Sequence, residues 1–438
     1  MPANSFCPIF LGRPTFFALV AALLALVIPA QPAFAYPAKP SNSQYVIAKD
    51  GHFYVGAERV RLWGYTMTMS YRNYAEITNV AERYSKLGVN AARPFANGAQ
   101  FYGNSSNLPF FAPSKKGDNS LLDRYDFTIA ELKRKGIFIQ ATALYQMDKL
   151  SLTTWPDAEV RQITTSTTSD AVRAYIHGVA PYLSPAYEAM LVQHIKNFLN
   201  HVNPYTGRKY ADEPVFAGWE LMNESHFVSC VFSAPCINGT ATNKIPPVLK
   251  AHLLRLWKDW QQANSTSVSA SLPPTETTWN KSDLPKHREY RKFVVEQFIK
   301  VSKRLEAVAR AQGPGVKVQP ISYNTYAGSP LLAQHAASAA GDYVEGTLYQ
   351  SPLKNDPSSR FHPFSPWLTA RVRGMYNLTN VPTEGKPFVV YETSFFRPYT
   401  YRQEWGPLML GTAATQDWDG MYLYSYGQAQ EVYTGNGE

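Results

Sequence analysis

Two glutamates close two short apolar runs in this chain of 438 residues. One run is Phe216-Ala-Gly-Trp-Glu-Leu-Met-Asn223-Glu224, and the other is Lys386-Pro-Phe-Val-Val-Tyr-Glu392. Such runs read as buried parallel strands, and side chains at the carboxyl ends of those strands face the mouth of an α/β barrel. Two carboxylates delivered to one mouth can divide the cleavage of a glycosidic bond. One protonates the leaving oxygen, and the other attacks the sugar or activates water. Glu224 suits the acid/base role, which needs a pKa raised by burial or by a nearby carboxylate. An Asn-Glu pair can also begin a surface helix, but the apolar strand before it argues against that here.

The elements that must position these groups alternate along the chain. Residues 45–60 alternate apolar and polar around Asp50-Gly51, which signals a hairpin. Strands are then expected at Arg61–Thr66, Val89–Phe95, Ile137–Tyr145, Val215–Asn223, Val316–Tyr323, Tyr343–Tyr349, Phe388–Glu392 and Gly420–Tyr426. Helices are expected at 74–87, 121–135 (capped by Gly136), 184–201, 286–311, 330–339, 365–376 and 402–416. Eight strands separated by helices imply a TIM (β/α)8 barrel with long insertions after strands 3 and 4, at 146–183 and 225–285. The rival, an open doubly wound sheet, usually carries a Gly-rich phosphate loop after its first strand, and none is present. The second insertion holds an amphipathic stretch from Leu253 to Trp260 and a Ser- and Thr-rich segment at 264–279, read as a mobile loop. Residues 431–438 do not read as a closing helix, so a C-terminal element is expected to be missing.

Arg13 is the sole charge in residues 1–35, Phe16–Ile28 is uninterrupted apolar sequence, and Ala33-Phe34-Ala35 is a small-x-small cleavage site. This is the pattern of a signal peptide over 1–35, followed by a linker at 36–44 and a catalytic domain at 45–438. The expected location is secreted or periplasmic. Cleavage takes the net charge from +9 to +8 by removing Arg13. The remaining Lys and Arg are scattered, which excludes a nucleic-acid motif, and no later segment is suited to span a membrane. Cleavage also removes Cys7. Cys230 and Cys236 then remain, close together in an exported chain, and suggest a disulfide; the alternative is two free thiols. No metal-ligand cluster and no cofactor motif accompany them.

The ordered motifs resemble clan A glycoside hydrolases, most closely the cellulase-like and mannanase-like proteins of family 5. The resemblance covers about residues 45–430. Val60-Arg-Leu-Trp-Gly64 looks like the family's first strand, and Leu87-Gly-Val-Asn-Ala-Ala-Arg93 like its second, ending in a site arginine. Asn223-Glu224 matches the acid/base pair of strand 4, and Pro387 to Glu392 matches the nucleophile strand. His201-Val-Asn-Pro-Tyr-Thr-Gly207 and Gln416-Asp-Trp-Asp-Gly420 resemble a less characterised branch.

The resemblance implies that Glu224 and Glu392 are catalytic. It also implies that Arg93 lowers the pKa of Glu392, that Asn223 bonds the sugar 2-hydroxyl, and that Tyr349 bonds the nucleophile; core packing is the rival for Tyr349. Tyr145 and Gln146 end strand 3 where the family has histidine. Thr347-Leu-Tyr349 stands in place of its His-x-Tyr, and Tyr424 stands where it has a tryptophan floor. These departures bear on which sugar is bound. Trp63, Tyr65 and Trp219 are sugar-stacking or core rings, and His226 is a further substrate contact. Glu220 reads as a buried inward carboxylate bonded inside the barrel. The resulting expectation is a retaining β-glycosidase acting as a monomer, without cofactor, on a β-linked glucan- or mannan-type poly- or oligosaccharide. A catalytically degenerate binding barrel and a transglycosylase are the alternatives.

Overall fold

The computed structural model describes residues 38–68, 73–95, 115–144, 155–165, 176–238, 244–264, 268, 285–325, 331–350, 375, 378–395 and 402–425. The chain divides into two units, Met1–Ala38 and Lys39–Glu438, and every element below belongs to the second. The signal-peptide segment, Tyr145 and Gln146, and residues 426–438 lie outside the described residues, as do most of 264–279 and of the helix expected at 365–376.

A three-stranded antiparallel sheet comes first: β1 (Val46–Lys49), β2 (His52–Val55) and β3 (Glu58–Val60). Asp50 and Gly51 both take positive φ between β1 and β2, as a two-residue hairpin turn requires. Eight parallel strands follow: β4 (Leu62–Thr68), β5 (Ala91–Phe95), β6 (Phe138–Thr142), β7 (Phe216–Glu220), β8 (Ile321–Ser322), β9 (Val344–Gln350), β10 (Phe388–Phe395) and β11 (Gly420–Tyr424). Their order is β8-β7-β6-β5-β4-β11-β10-β9, that of a TIM barrel. The end strands β8 and β9 meet where the Asp342 N–H donates to Ile321 O at 2.7 Å and Ser322 Oγ donates to Glu345 Oε2 at 2.7 Å.

Sequence dictates the helices through their caps and apolar stripes. The helix Tyr74–Lys86 starts with a capping box between Asn73 and Glu76 and buries Ile77, Val80, Ala81 and Tyr84 against the barrel. Ser184 caps Pro185–Asn200 by accepting from the Tyr187 N–H, with Pro185 preset for the first turn. Gly64 on β4 is required by close approach: a Cβ there would stand 1.6 Å from the Ala91 carbonyl oxygen of β5.

One expected strand is corrected. Val316–Val318 begins no strand; Pro314–Val318 is a helical turn, and β8 is only Ile321–Ser322. The alternating Val-Lys-Val pattern imitates a strand. Pro314 instead fixes a helical φ in the first turn, and the Arg310 guanidinium donates to the Lys317 carbonyl at 2.8 Å, satisfying the end of that turn. The strand expected at Val215–Asn223 also ends early, at Glu220.

The described parts of the two insertions contain the helices Ala158–Thr165, Phe227–Val231, Ala234–Asn238 and Pro247–Asn264. Glu159 ties them together, accepting a hydrogen bond from Ser184 and lying 3.0 Å from His252 Nε2. Cys230 and Cys236 are disulfide-bonded and join the two short helices of the second insertion. Among the described residues, no helix is long and apolar enough to cross a membrane.

Candidate active site

The site is built from the carboxyl ends of β5, β7, β8, β9 and β10. Arg93 on β5 is fully buried, and an isolated guanidinium there would be costly, so it must be partnered. Its Nη1 donates to Glu392 Oε1 at 2.6 Å. Its Nη2 donates to Glu220 Oε2 at 2.6 Å and to Asn223 Oδ1 at 2.7 Å. One cation thus touches β7, the segment after it, and β10.

Glu392 receives a second donor at its other oxygen, the Tyr349 hydroxyl of β9. Tyr349 in turn packs edge-on against Tyr424, with ring centroids 5.8 Å apart. Burial raises the Glu392 carboxyl above its ordinary range, while the Arg93 charge and the Tyr349 bond pull it down. The sequence-based expectation held that Arg93 would lower this pKa. Its contribution has that sign, but desolvation outweighs it.

Glu224 lies four residues beyond the end of β7, in the left-handed region at φ 48°. Its N–H donates to Asn324 Oδ1 at 2.5 Å. Its Oε1 accepts from the Tyr391 hydroxyl at 3.2 Å. Burial and then the Glu392 charge push the Glu224 carboxyl up to about 8. The two glutamates therefore sense one another, and the structure brings them together with Arg93, Asn223 and Tyr349.

Tyr391 reaches the site because of a register irregularity. Adjacent strand residues normally face opposite sides, so Tyr391 and Glu392 would diverge. The pairing of β10 with β9 slips between Val390 and Glu392, the signature of a β-bulge, and bulges re-aim side chains beside functional sites. Tyr391 is buried, its hydroxyl also donates to Thr325 O at 3.3 Å, and its ring lies under the Arg93 guanidinium.

Glu220 is buried inside the barrel as expected, and its partners are specific. Oε2 accepts from Arg93 and from Thr142 Oγ1 at 2.5 Å, and Oε1 accepts from Asn324 Nδ2. Below it, Glu345 on β9 accepts from Gln140 and Ser322. Burial, and then the Glu220 charge, push the Glu345 carboxyl well above the usual range. Sequence reasoning missed Asn324, Thr142, Tyr391 and Glu345. A glutamate inside the strand run Val344–Gln350 was the available signal for Glu345, since a charge there must find partners inside the barrel.

Other expected contacts fall differently. Trp63 is on the same side of β4 as Tyr65, whose ring stacks on the helix residue Tyr84 at 5.5 Å. It packs against the apolar clusters between strands and helices, and the structure does not bring it to the carboxylates. Trp219 is fully buried and packs edge-on against Phe198 and at a tilt against Phe216 in the core. His226 packs against the 176–183 segment through its N–H to Gly178 O at 3.2 Å, and burial pushes its imidazole down to about 4, leaving it neutral at pH 7. Tyr145 lies outside the described residues.

Comparison with known proteins agrees with this geometry. No family model matches the chain. A putative mannan endo-1,4-β-mannosidase of Arabidopsis thaliana is 29% identical over 214 residues, covering 46% of this chain and 48% of that protein. Mannan endo-1,4-β-mannosidase 3 of Oryza sativa is 25% identical over 166 residues, 37% of this chain and 32% of that protein. The chain thus spans about half, or less, of the length of these curated relatives. Among solved structures, the endo-1,4-β-mannanase of Rhizomucor miehei has a TM-score of 0.54 at 14% identity, covering 89% of this chain and 92% of that one. A glycoside hydrolase family 5 mannosidase of the same fungus has a TM-score of 0.51 at 14% identity, over 87% and 86% of the two chains. These solved structures share the barrel fold, and the relatives share sequence within it. Over part of its length the chain is thus similar in sequence to curated mannan endo-1,4-β-mannosidases, and its strand-end motifs lie in a barrel like that of the solved mannanases.

Proposed function

We propose that this chain hydrolyses β-linked mannan by a retaining double displacement, with Glu224 as acid/base and Glu392 as nucleophile. The observation that carries the reading is the unequal treatment of two neighbouring carboxylates. Glu392 has a donor on each oxygen, Arg93 and Tyr349, which favours its charged form. Glu224 is desolvated beside that charge and holds its proton up to about pH 8. Pairs of carboxyls whose environments push their pKa values apart divide acid and nucleophile roles.

In the first step Glu224 gives its proton to the glycosidic oxygen while a Glu392 oxygen bonds to the anomeric carbon, and the leaving sugar departs as an alcohol. In the second, Glu224 takes a proton from water. The resulting hydroxide attacks the anomeric carbon, and the Glu392 ester bond breaks, restoring both carboxyls. Asn223, fixed by Arg93, stands beside the acid and would bond the sugar 2-hydroxyl. Mannan as the substrate is supported by the names of the relatives from Arabidopsis and rice. Export is supported by the apolar leader and by the Cys230–Cys236 bond, which suits an oxidising compartment.

The test is digestion of soluble β-mannan, with the first-formed anomer followed by proton NMR. Retention gives the β-anomer first; an α-anomer first would exclude double displacement. Products longer than the substrate would show transglycosylation, and tight binding without turnover would show a degenerate barrel.

A further inference from the structure

We propose that Glu220 is a positioning residue that couples the two halves of the site, holding Arg93 with one carboxylate oxygen and Asn324 with the other. The proposal rests on the reading of Glu224 and Glu392 as acid/base and nucleophile. One arm runs from Glu220 Oε2 to Arg93 Nη2 at 2.6 Å, and from Arg93 Nη1 to Glu392 Oε1 at 2.6 Å. The other runs from Glu220 Oε1 to Asn324 Nδ2, and from Asn324 Oδ1 to the Glu224 N–H at 2.5 Å. Because the Asn324 amide spends its nitrogen on Glu220, its oxygen is turned toward Glu224.

That second bond falls where the backbone needs it. Glu224 holds φ 48°, a conformation that is strained for a residue with a Cβ and persists only where its surroundings enforce it. The Asn324 side chain is one such enforcement, and Glu220 fixes its orientation. Arg93 and the Thr142 hydroxyl donate to one oxygen of Glu220 and Asn324 to the other, so a carboxylate, with an acceptor at each end, is the group that satisfies all three. An amide in its place offers one acceptor and turns its own donors on the other arm.

Charge makes the same coupling. The titratable and charged groups that sense Glu220 are Arg93 on β5, Glu224 after β7, Tyr343 and Glu345 at β9, and Tyr391 and Glu392 on β10. The negative charge of Glu220 favours protonation of both Glu224 and Glu392. Removing it must lower both together.

The experiment compares wild type, Glu220→Gln, Glu220→Asp and Asn324→Ala by pH–rate profiles on β-mannan, by thermal unfolding, and by 13C NMR titration of the Glu224 carboxyl, assigned by its loss in Glu224→Gln. Glu220→Gln is expected to lower kcat on the order of 10²-fold, through misplacement of reacting groups, and to move both limbs of the profile to lower pH. Glu220→Asp keeps the charge and should lose kcat while its limbs stay in place, and it stands in if the glutamine variant does not fold. Asn324→Ala should slow natural mannan more than a substrate with a good leaving group. A Glu220→Gln profile superimposable on wild type, with only thermal stability lost, would reduce Glu220 to a structural brace. The NMR titration separates the two readings. If wild type turns over nothing while the Glu224 midpoint still falls in Glu220→Gln, the enzyme reading fails and the coupling stands. If turnover is present and the midpoint is unmoved, the coupling alone fails.

Discussion

Arg93 and Glu392 stand 299 residues apart in the chain and meet at 2.6 Å inside the barrel. Their strands are not neighbours, because β4, β11 and then β10 follow β5 in the sheet. The guanidinium therefore reaches across the lumen to Glu392 while also holding Glu220 and Asn223. A planar fork with several donors can do this; a single ammonium cannot.

Arg93→Lys should therefore be far from conservative. Breaking one member of a buried ion pair costs on the order of 3–5 kcal/mol, because the partner charge is left uncompensated. Two carboxylates depend on Arg93, so urea unfolding should show a loss at or above the lower end of that range, together with a fall in kcat/KM. A lysine variant with wild-type stability and turnover would refute the shared guanidinium.

The pH dependence follows from the two carboxyls. Glu224 is held up to about 8, so kcat/KM should fall as pH rises through about 8 and the acid loses its proton. Glu392 is raised above its ordinary 4.5, so the acid limb should lie above that value. Stability has a matching sign. A carboxyl whose folded pKa is raised stabilises the fold below its unfolded pKa, and that contribution is lost as pH climbs through the folded value. Thermal midpoints of Glu224→Gln should fall less than those of wild type between about pH 5 and pH 9. Parallel curves would contradict the assignment.

The two glutamates should separate by leaving group. Glu392→Ala should abolish turnover, since no covalent intermediate forms, and azide or formate should restore part of it by attacking in its place. Glu224→Ala should cripple cleavage of mannan yet spare the first step with aryl glycosides that need little protonation. Equal losses on every substrate, with no rescue, would remove the division of labour.

The Cys230–Cys236 bond closes a short loop, with a sequence separation of 6. Chain-entropy reasoning assigns such a loop about 2 kcal/mol. The double serine variant should lose that much by urea unfolding and keep kcat within a factor of two. A loss above about 5 kcal/mol would mean that the insertion folds only around this bond.

The sequence by itself determined the barrel and the identity of its key acids. Long apolar runs ending in Asn223-Glu224 and Glu392 can be satisfied only as strands buried on both faces, and caps such as Asn73 and Ser184 mark where helices begin. That the two cysteines lie close together was also legible, though the choice between bond and free thiols was settled only in space. Which face of each strand looks inward was only partly legible: polar residues such as Gln140, Glu220 and Glu345 mark the lumen, but apolar and aromatic residues fill positions on both faces. Trp63, read as a sugar-stacking or core ring, packs among the helices, while Tyr391 enters the site through a bulge that no periodicity announces. The short β8 was hidden because Val316–Val318 has strand-like composition, yet Pro314 and the Arg310 guanidinium hold it helical. Asn324 joins the network through the pairing of β7 with β8, and Glu345 only when β8 and β9 meet as the sheet curls round. Closure of the barrel is a long-range event. It brings together groups a hundred or more residues apart, such as Glu224 and Asn324, and these partnerships arise from register and curvature rather than from any local run of residues.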